Sequence, residues 1–182
     1  VPGGFGERGI EGKIAAAHYA RVEDIPYLGI CLGMQIAIIE YARNVCHLSK
    51  ANSTEFDSET PYPVVALVEE WHCSHTGQLK SSYQNGHLGG TMRLGAQKAN
   101  LNKNSKIIDI YKQHSINERH RHRYEINPKY TKKLEKNGLL ISGCSEQEGL
   151  AEVIEIPQHS WFIGCQFHPE FNSTPHKAHP LF

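Results

Sequence analysis

The run Tyr27-Leu28-Gly29-Ile30-Cys31-Leu32-Gly33-Met34-Gln35 sets two hydrophobic patterns end to end. Residues 27–31 form a short apolar stretch behind Pro26, the pattern of a strand buried on both faces. From Met34 the apolar positions continue through Ile36, Ala37, Ile38, Ile39, Ala42 and Val45, nearly all round a helical wheel. A well-buried helix is therefore expected to about residue 48. Between the two lies Gly29-Ile30-Cys31-Leu32-Gly33, a G-x-C-x-G step from strand to helix. So tight a turn needs small flanking residues and lifts the side chain at its apex above the sheet. It also starts a helix whose dipole favours a thiolate. A cysteine by itself is most often a small buried hydrophobe. The two glycines and the strand-to-helix switch make Cys31 a candidate nucleophile instead.

The alternation extends in both directions. A Gly-rich loop at 3–12 leads into a helix expected over 11–22, with Ile14, Ala15, Ala17 and His18 on a weakly apolar face. Residues 49–63 read as loop, 63–68 as strand, 72–90 as an irregular surface loop or lid, and 91–94 as a short strand. A short helix is expected over 105–113, a strand over 118–126, and a helix from Pro128 to the Asn137-Gly138 cap. Three strands, at 139–142, 150–156 and 161–167, follow it. The early order argues for an α/β sheet covered by helices, and the later strands for an added hairpin layer.

Composition narrows the function. The chain has 182 residues, 39% hydrophobic and 21% charged, enough for one domain with a sizeable core or most of one. Lys+Arg and Asp+Glu are 19 each, so no net charge favours nucleic acid or an anionic membrane. Mean hydropathy is −0.48, and no apolar run approaches the ~20 residues of a membrane span. The N-terminus has neither a signal-peptide pattern nor a Met, so the chain is expected to come from something longer. Five widely spaced cysteines without a CxxC pair fit a reducing cytosol better than a disulfide framework.

A thiolate nucleophile needs a base and a group to orient that base. Phe167 ends an apolar strand and His168-Pro169-Glu170 follows at once, at the strand end where α/β proteins bind ligands. Glu170 would hold one ring nitrogen of His168 while the other faces Cys31. Alone, this would read as a turn with a solvated His and Glu. Pro2-Gly3-Gly4-Phe5-Gly6 would turn backbone N–H groups toward an anion. The N–H of Gly4, with that of Leu32, would make an oxyanion hole for acyl transfer. Two other clusters are set aside. His120 and His122 alternate with Arg119, Arg121 and Arg123 and lie on the opposite strand face, without the aromatic interleaving of a nucleic-acid surface. His72, Cys73 and His75 lack a fourth zinc ligand at a familiar spacing and read as a solvated loop.

The blocks Pro2-Gly3-Gly4-Phe5-Gly6, Gly29-Ile30-Cys31-Leu32-Gly33-Met34-Gln35 and Gln166-Phe167-His168-Pro169-Glu170-Phe171, in that order, resemble the class I glutamine amidotransferases. Three longer stretches are similar to signatures of the CTP synthase glutaminase domains within that superfamily: 51–56, 88–95 and 118–125. The resemblance covers essentially 1–182 and is poorest over 72–87.

It implies a three-layer α/β sandwich with a mainly parallel central sheet, flavodoxin-like. It implies Cys31 as nucleophile on the side-chain amide of L-glutamine, through a γ-glutamyl thioester, with His168 as base and acid and Glu170 as its orienter. Gly4 and Leu32 would supply the oxyanion hole. Gly4, Leu32, Gly33, Met34, Gln35, Glu55 and Arg123 would form the glutamine pocket. Glu55 and Arg123 suit the α-ammonium and α-carboxylate. No metal or cofactor is implied for this chain; ATP, magnesium and UTP belong to an N-terminal synthetase domain of the parent enzyme. A homotetramer in the cytoplasm is implied too, with no nucleic-acid or membrane partner. Against the family's full length, 1–182 reads as a glutaminase domain truncated at its N-terminus and at its C-terminus, with no P-loop GxxxxGK[ST] for phosphate chemistry. The alternatives are an amidotransferase of another pathway, such as GMP synthesis, and a non-catalytic regulatory or assembly module.

Overall fold

The computed structural model describes residues 1–67 and 92–182. The elements in chain order are α1 (Ile10–Val22), β1 (Tyr27–Ile30), α2 (Leu32–Asn44), β2 (Ala51–Ser53), β3 (Tyr62–Leu67), β4 (Arg93–Leu101), α3 (Lys106–Tyr111), β5 (Ser115–His122), β6 (Tyr124–Ile126), α4 (Pro128–Lys136), β7 (Leu140–Ser145), β8 (Ala151–Glu155) and β9 (Phe162–Cys165). A 3-10 turn, Pro169–Asn172, follows β9. Six strands form one sheet in the order β1-β9-β8-β7-β4-β5, and β2-β3-β6 form a second.

The α/β, flavodoxin-like class holds, but the sheet is mixed rather than mainly parallel. In the six-stranded sheet β1 runs parallel to β9, whereas β9-β8, β8-β7, β7-β4 and β4-β5 are all antiparallel. The short connections from β7 to β8 and from β8 to β9 leave no room for a parallel crossover of a dozen residues or more. β1 and β9, far apart in sequence, are free of that restriction.

Side chains alternate across the sheet and build a core on each face. On β9, Phe162 packs with α1 and α2, while Ile163 and Cys165 join Ile107 of α3 on the other side. On β8, Ile154 and Val153 divide in the same way. Helix α2 lies under the first core, and Met34, Ile36, Ile38 and Ile39 are wholly buried. Pro128 stands in the first turn of α4, where Asn127 caps by accepting from Lys129 N–H at 3.1 Å.

Several expected boundaries move. On α1 the buried face is Ile10, Ile14, Ala17 and Ala20; Ala15 and His18 are exposed. Helix α2 ends at Asn44 instead of near residue 48. The expected 49–63 loop contains β2, and β4 runs to Leu101 rather than 94. The expected 118–126 strand starts at Ser115 and bends at Arg123 into β5 and β6, which belong to different sheets. The expected loop or lid at 72–90, its His72, Cys73 and His75, and the ends of the expected strands at Val68 and Thr91 lie outside the described residues. Among the described residues no helix is long and apolar enough to cross a membrane.

Candidate active site

Cys31 stands where β1 becomes α2, with φ 52° and ψ −104°, a strained conformation for a residue with a side chain. The surroundings over-determine it. Cys31 N–H donates to the carbonyl of Cys165 on β9 at 2.7 Å, and the Cys31 carbonyl accepts from Met34 and Gln35 N–H at 3.1 and 3.2 Å. The two flanking glycines serve close approach. A Cβ on Gly29 would lie 2.7 Å from the backbone of Gly33, and one on Gly33 would lie 2.1 Å from the carbonyl oxygen of Val1. The turn predicted from G-x-C-x-G is therefore present, and its left-handed step falls on the cysteine itself.

Burial at the start of α2 outweighs the helix N-terminus in setting the state of the free Cys31 thiol. Burial pushes the Cys31 thiol up to about 12, outweighing a hydrogen bond from Leu32 N–H; Glu125, Glu170 and Glu55 push the same way. Cys31 rests as a thiol, and a base must take its proton.

His168 is placed to do so. It follows β9 at the same sheet end, and its Nδ1 bonds Glu170 Oε1 at 2.6 Å. Its Nε2 is buried with no hydrogen-bond partner among the described residues. Gly3 locates it relative to the thiol: a Cβ there would lie 2.8 Å from His168 Cε1 and 3.6 Å from Cys31 Cβ. The Phe171 ring stacks on His168 with centroids 4.7 Å apart. Glu170 is exposed, so the pair opens toward solvent on one side only.

The remaining expected residues divide into two groups. Gly4 lies over Leu32, the residue after Cys31, with the Leu32 Cδ2 3.3 Å from an added Cβ. Glu55, half-buried, accepts from Gly6 N–H at 2.9 Å and so faces the glycine loop. Arg123 is exposed at the bend between β5 and β6, one residue before Tyr124. The Tyr124 carbonyl accepts from Gln35 Nε2 at 3.0 Å, tying that bend to the first turn of α2. By contrast, the side chain of Gln35 is committed to Tyr124 and Gln166, and Met34 is wholly buried against Gly164. The backbone N–H groups of both residues are bonded to the Cys31 carbonyl. Among the described residues no cluster of three His, Cys, Asp or Glu is arranged to hold a metal.

Sequence reasoning missed a buried charged group behind the site. Arg93 on β4 bonds Glu125 Oε1 at 2.9 Å and pairs with Glu152 at 2.7 Å; His122 Nδ1 lies 3.4 Å from Glu125 and His120 Nδ1 3.6 Å from Glu152. One guanidinium serves two carboxylates, so burial pushes Glu125 up to about 8 and raises Glu152 as well. Burial, with Arg93 adding to it, holds His120 down to about 3 and His122 well below the usual range. The alternation of Glu118, His120 and His122 with three arginines was the available signal: all three face inward, and Arg119, Arg121 and Arg123 face out.

Comparison with known proteins follows the same lines. The family profile for class I glutamine amidotransferases matches residues 1–182. The glutaminase domain of Trypanosoma brucei CTP synthase, solved with bound acivicin, is 42% identical with a TM-score of 0.85, and the match covers 99% of this chain and 66% of that one. A candidate GMP synthase component from Thermoplasma acidophilum shares the fold at 15% identity and TM-score 0.56, covering 98% of this chain and 64% of that one. A glutamine amidotransferase of Methylobacillus flagellatus does so at 13% identity and TM-score 0.54, covering 90% and 45%.

Proposed function

The chain belongs to the class I glutamine amidotransferase family, and from that premise we propose that it is the glutaminase part of a CTP synthase. The observation that carries the chemistry is His168: Nδ1 held by Glu170 at 2.6 Å, Nε2 buried and unpartnered among the described residues, and the ring against the same glycine as Cys31. What favours CTP synthase within the family is the 42% identity to the T. brucei glutaminase domain over 99% of this chain.

The reaction follows from those positions. Glutamine binds with its α-ammonium at Glu55 and its α-carboxylate at Arg123. His168 Nε2 takes the Cys31 proton as the sulfur attacks the side-chain amide carbon. The oxyanion lies between the N–H groups of Gly4 and Leu32. Collapse expels ammonia with the proton returned by His168, leaving the γ-glutamyl thioester. Water attacks that thioester, His168 takes its proton, glutamate departs and the thiol is restored. Glu170 stabilises the imidazolium at each stage and fixes its tautomer. The ammonia is consumed by a synthetase domain that aminates UTP with ATP and magnesium, in a cytoplasmic homotetramer. No residue of this chain is assigned to those nucleotides or to the metal.

The test follows glutamate and CTP separately. The full-length enzyme should form both from glutamine, ATP and UTP. Cys31→Ala should lose glutamine-dependent CTP and keep CTP formation from ammonia. Acivicin should label Cys31 and leave the buried Cys46 and Cys165 unmodified. Residues 1–182 alone should release glutamate at most. Full glutaminase activity in Cys31→Ala would sink the nucleophile assignment, and CTP from residues 1–182 alone would show the synthetase chemistry misplaced. Amination of a purine nucleotide by the full-length enzyme instead of UTP would favour the GMP pathway.

A further inference from the structure

The turn that carries Glu170 is four residues long, Pro169–Asn172, too short to hold itself in place. Two adjacent residues of β5 anchor it. At its start His168 N–H donates to the carbonyl of Arg119 at 2.8 Å. At its end Asn172 Nδ2 donates to Glu118 Oε2, also at 2.8 Å. Glu118 is buried on the inner face of β5, and its second oxygen accepts from His179 Nε2 at 2.8 Å and from the Tyr111 hydroxyl at 2.9 Å. His179 Nδ1 accepts from Leu181 N–H at 3.2 Å, which leaves the ring proton on Nε2, facing Glu118. His179 N–H donates to Ser173 Oγ at 3.2 Å, just past the turn.

Three donors from three segments thus converge on one buried carboxylate that takes no part in the hydrolysis described above. An acceptor of this kind is a strong, fixed one, because its bonds are charge-assisted and water is excluded. Of the three donors, Asn172 belongs to the turn itself, two residues beyond Glu170.

We propose that Glu118 is a positioning residue for glutamine hydrolysis: through Asn172 it fixes the Pro169–Asn172 turn so that Glu170 Oε1 stays on His168 Nδ1. The inference rests on the roles given above to Cys31, His168 and Glu170. If the turn drifts, His168 loses its orientation toward Cys31, and a displacement of ~1 Å near reacting groups costs about 10²-fold in rate. A glutamine at 118 keeps the size but replaces one acceptor by an amide N–H₂. That donor must face either Asn172 or the His179–Tyr111 pair, so one arm of the clamp is lost.

The test is a double-mutant cycle in the full-length enzyme, read as kcat and KM for glutamate release. Asn172 is exposed, so Asn172→Ala does not threaten the fold and decides the matter even where Glu118→Gln fails to fold. Asn172→Ala is expected to lower kcat about 10-fold and Glu118→Gln somewhat more, with KM within about twofold, since a fraction of the ~1 Å displacement suffices. On a Glu170→Ala background each should cost less than about twofold, because the group it positions is gone. Losses that multiply in full on Glu170→Ala, or an unchanged kcat in Asn172→Ala, overturn the proposal. These results, with Cys31→Ala inactive, overturn it alone; full activity in Cys31→Ala overturns the catalytic reading and this inference with it.

Discussion

Cys31 and His168 meet in one site, yet the two halves are held by different means. The cysteine is fixed by backbone: a strained φ of 52°, a hydrogen bond to Cys165 on the neighbouring strand, and two glycines with no room for a Cβ. The histidine has one backbone anchor, to the Arg119 carbonyl, and its ring is fixed by side chains: Glu170 bonded to it, Phe171 stacked against it, and Glu118 holding the turn through Asn172. A backbone device tolerates almost no change at its glycines and leaves a short, recognisable pattern. A side-chain device is built of residues far apart in sequence, and its members can be weakened one at a time.

The strongest way to break the comparison is Gly29→Ala. A Cβ there meets the Gly33 backbone at 2.7 Å, and backbone has little freedom to yield. We expect a loss of glutaminase activity of about 10³-fold or more. Overpacking costs ~1–3 kcal/mol, or a melting temperature lower by roughly 3–10 °C at this chain length. A normal melt with near-normal activity would show that the elbow is not held by backbone contact.

On the other half, His168→Ala removes the base and should lower kcat by about 10³-fold. Glu170→Ala should cost roughly 10–50-fold, as loss of an orienting group is milder than loss of the base itself. Kinetics of the two single variants and the double decide it. A Glu170→Ala enzyme as inactive as His168→Ala, while folded and binding glutamine, would give the carboxylate a direct part in proton transfer.

The smallest effect concerns the charged group behind both halves. Folding takes His120 from its usual 6.5 to about 3, so in that window the unfolded chain binds a proton that the folded chain refuses; stability rises with pH there, and His122 adds to the rise. Glu125 goes the other way, from 4.5 to about 8: the folded chain keeps a proton that the unfolded chain has lost, so stability falls as pH climbs through that window, and Glu152 acts in the same sense. Above pH ~6.5 the two histidines are neutral in both states, and the carboxylates carry the fall. Melting temperature should therefore decline by a few degrees between about pH 6.5 and 8.5. Glu125→Gln should flatten that decline, and a decline unchanged in the variant would place its source elsewhere.

What the sequence disclosed follows the same division. The elbow was legible because the glycines, the cysteine and the switch in hydrophobic period occur within nine consecutive residues, 27–35. His168-Pro169-Glu170 was legible as a pair because its members are two residues apart. The order of the sheet was not, since β1 pairs with β9 through hydrogen bonds that no local pattern announces; its antiparallel part follows from the short β7–β8 and β8–β9 connections. The packing of Gln35 and Met34 was not legible either, because a motif names a position and not where its side chain points. The thiol's state was misjudged because the dipole is a local property of the chain, whereas burial is a property of the packed fold. Glu118 and Arg93 find their partners on other elements, up to 61 positions away for Glu118 and His179, beyond any spacing rule.

The parallel pairing of β1 with β9 also bears on how the molecule reaches its active state. Tyr27 faces Phe162 across that ladder, so 162 − 27 = 135 positions of chain must be looped before it can close. Non-local pairings of that kind form late, because the entropy of loop closure precedes the contacts that offset it. β4 and β5, joined through α3, and β7 and β8, joined by a short turn, need far shorter closures. Cys31 N–H donates to the Cys165 carbonyl at the end of this ladder. The backbone hold on the proposed nucleophile thus depends on a pairing between segments far apart in the chain, and a partly folded chain that lacks it leaves the Cys31 turn without that support.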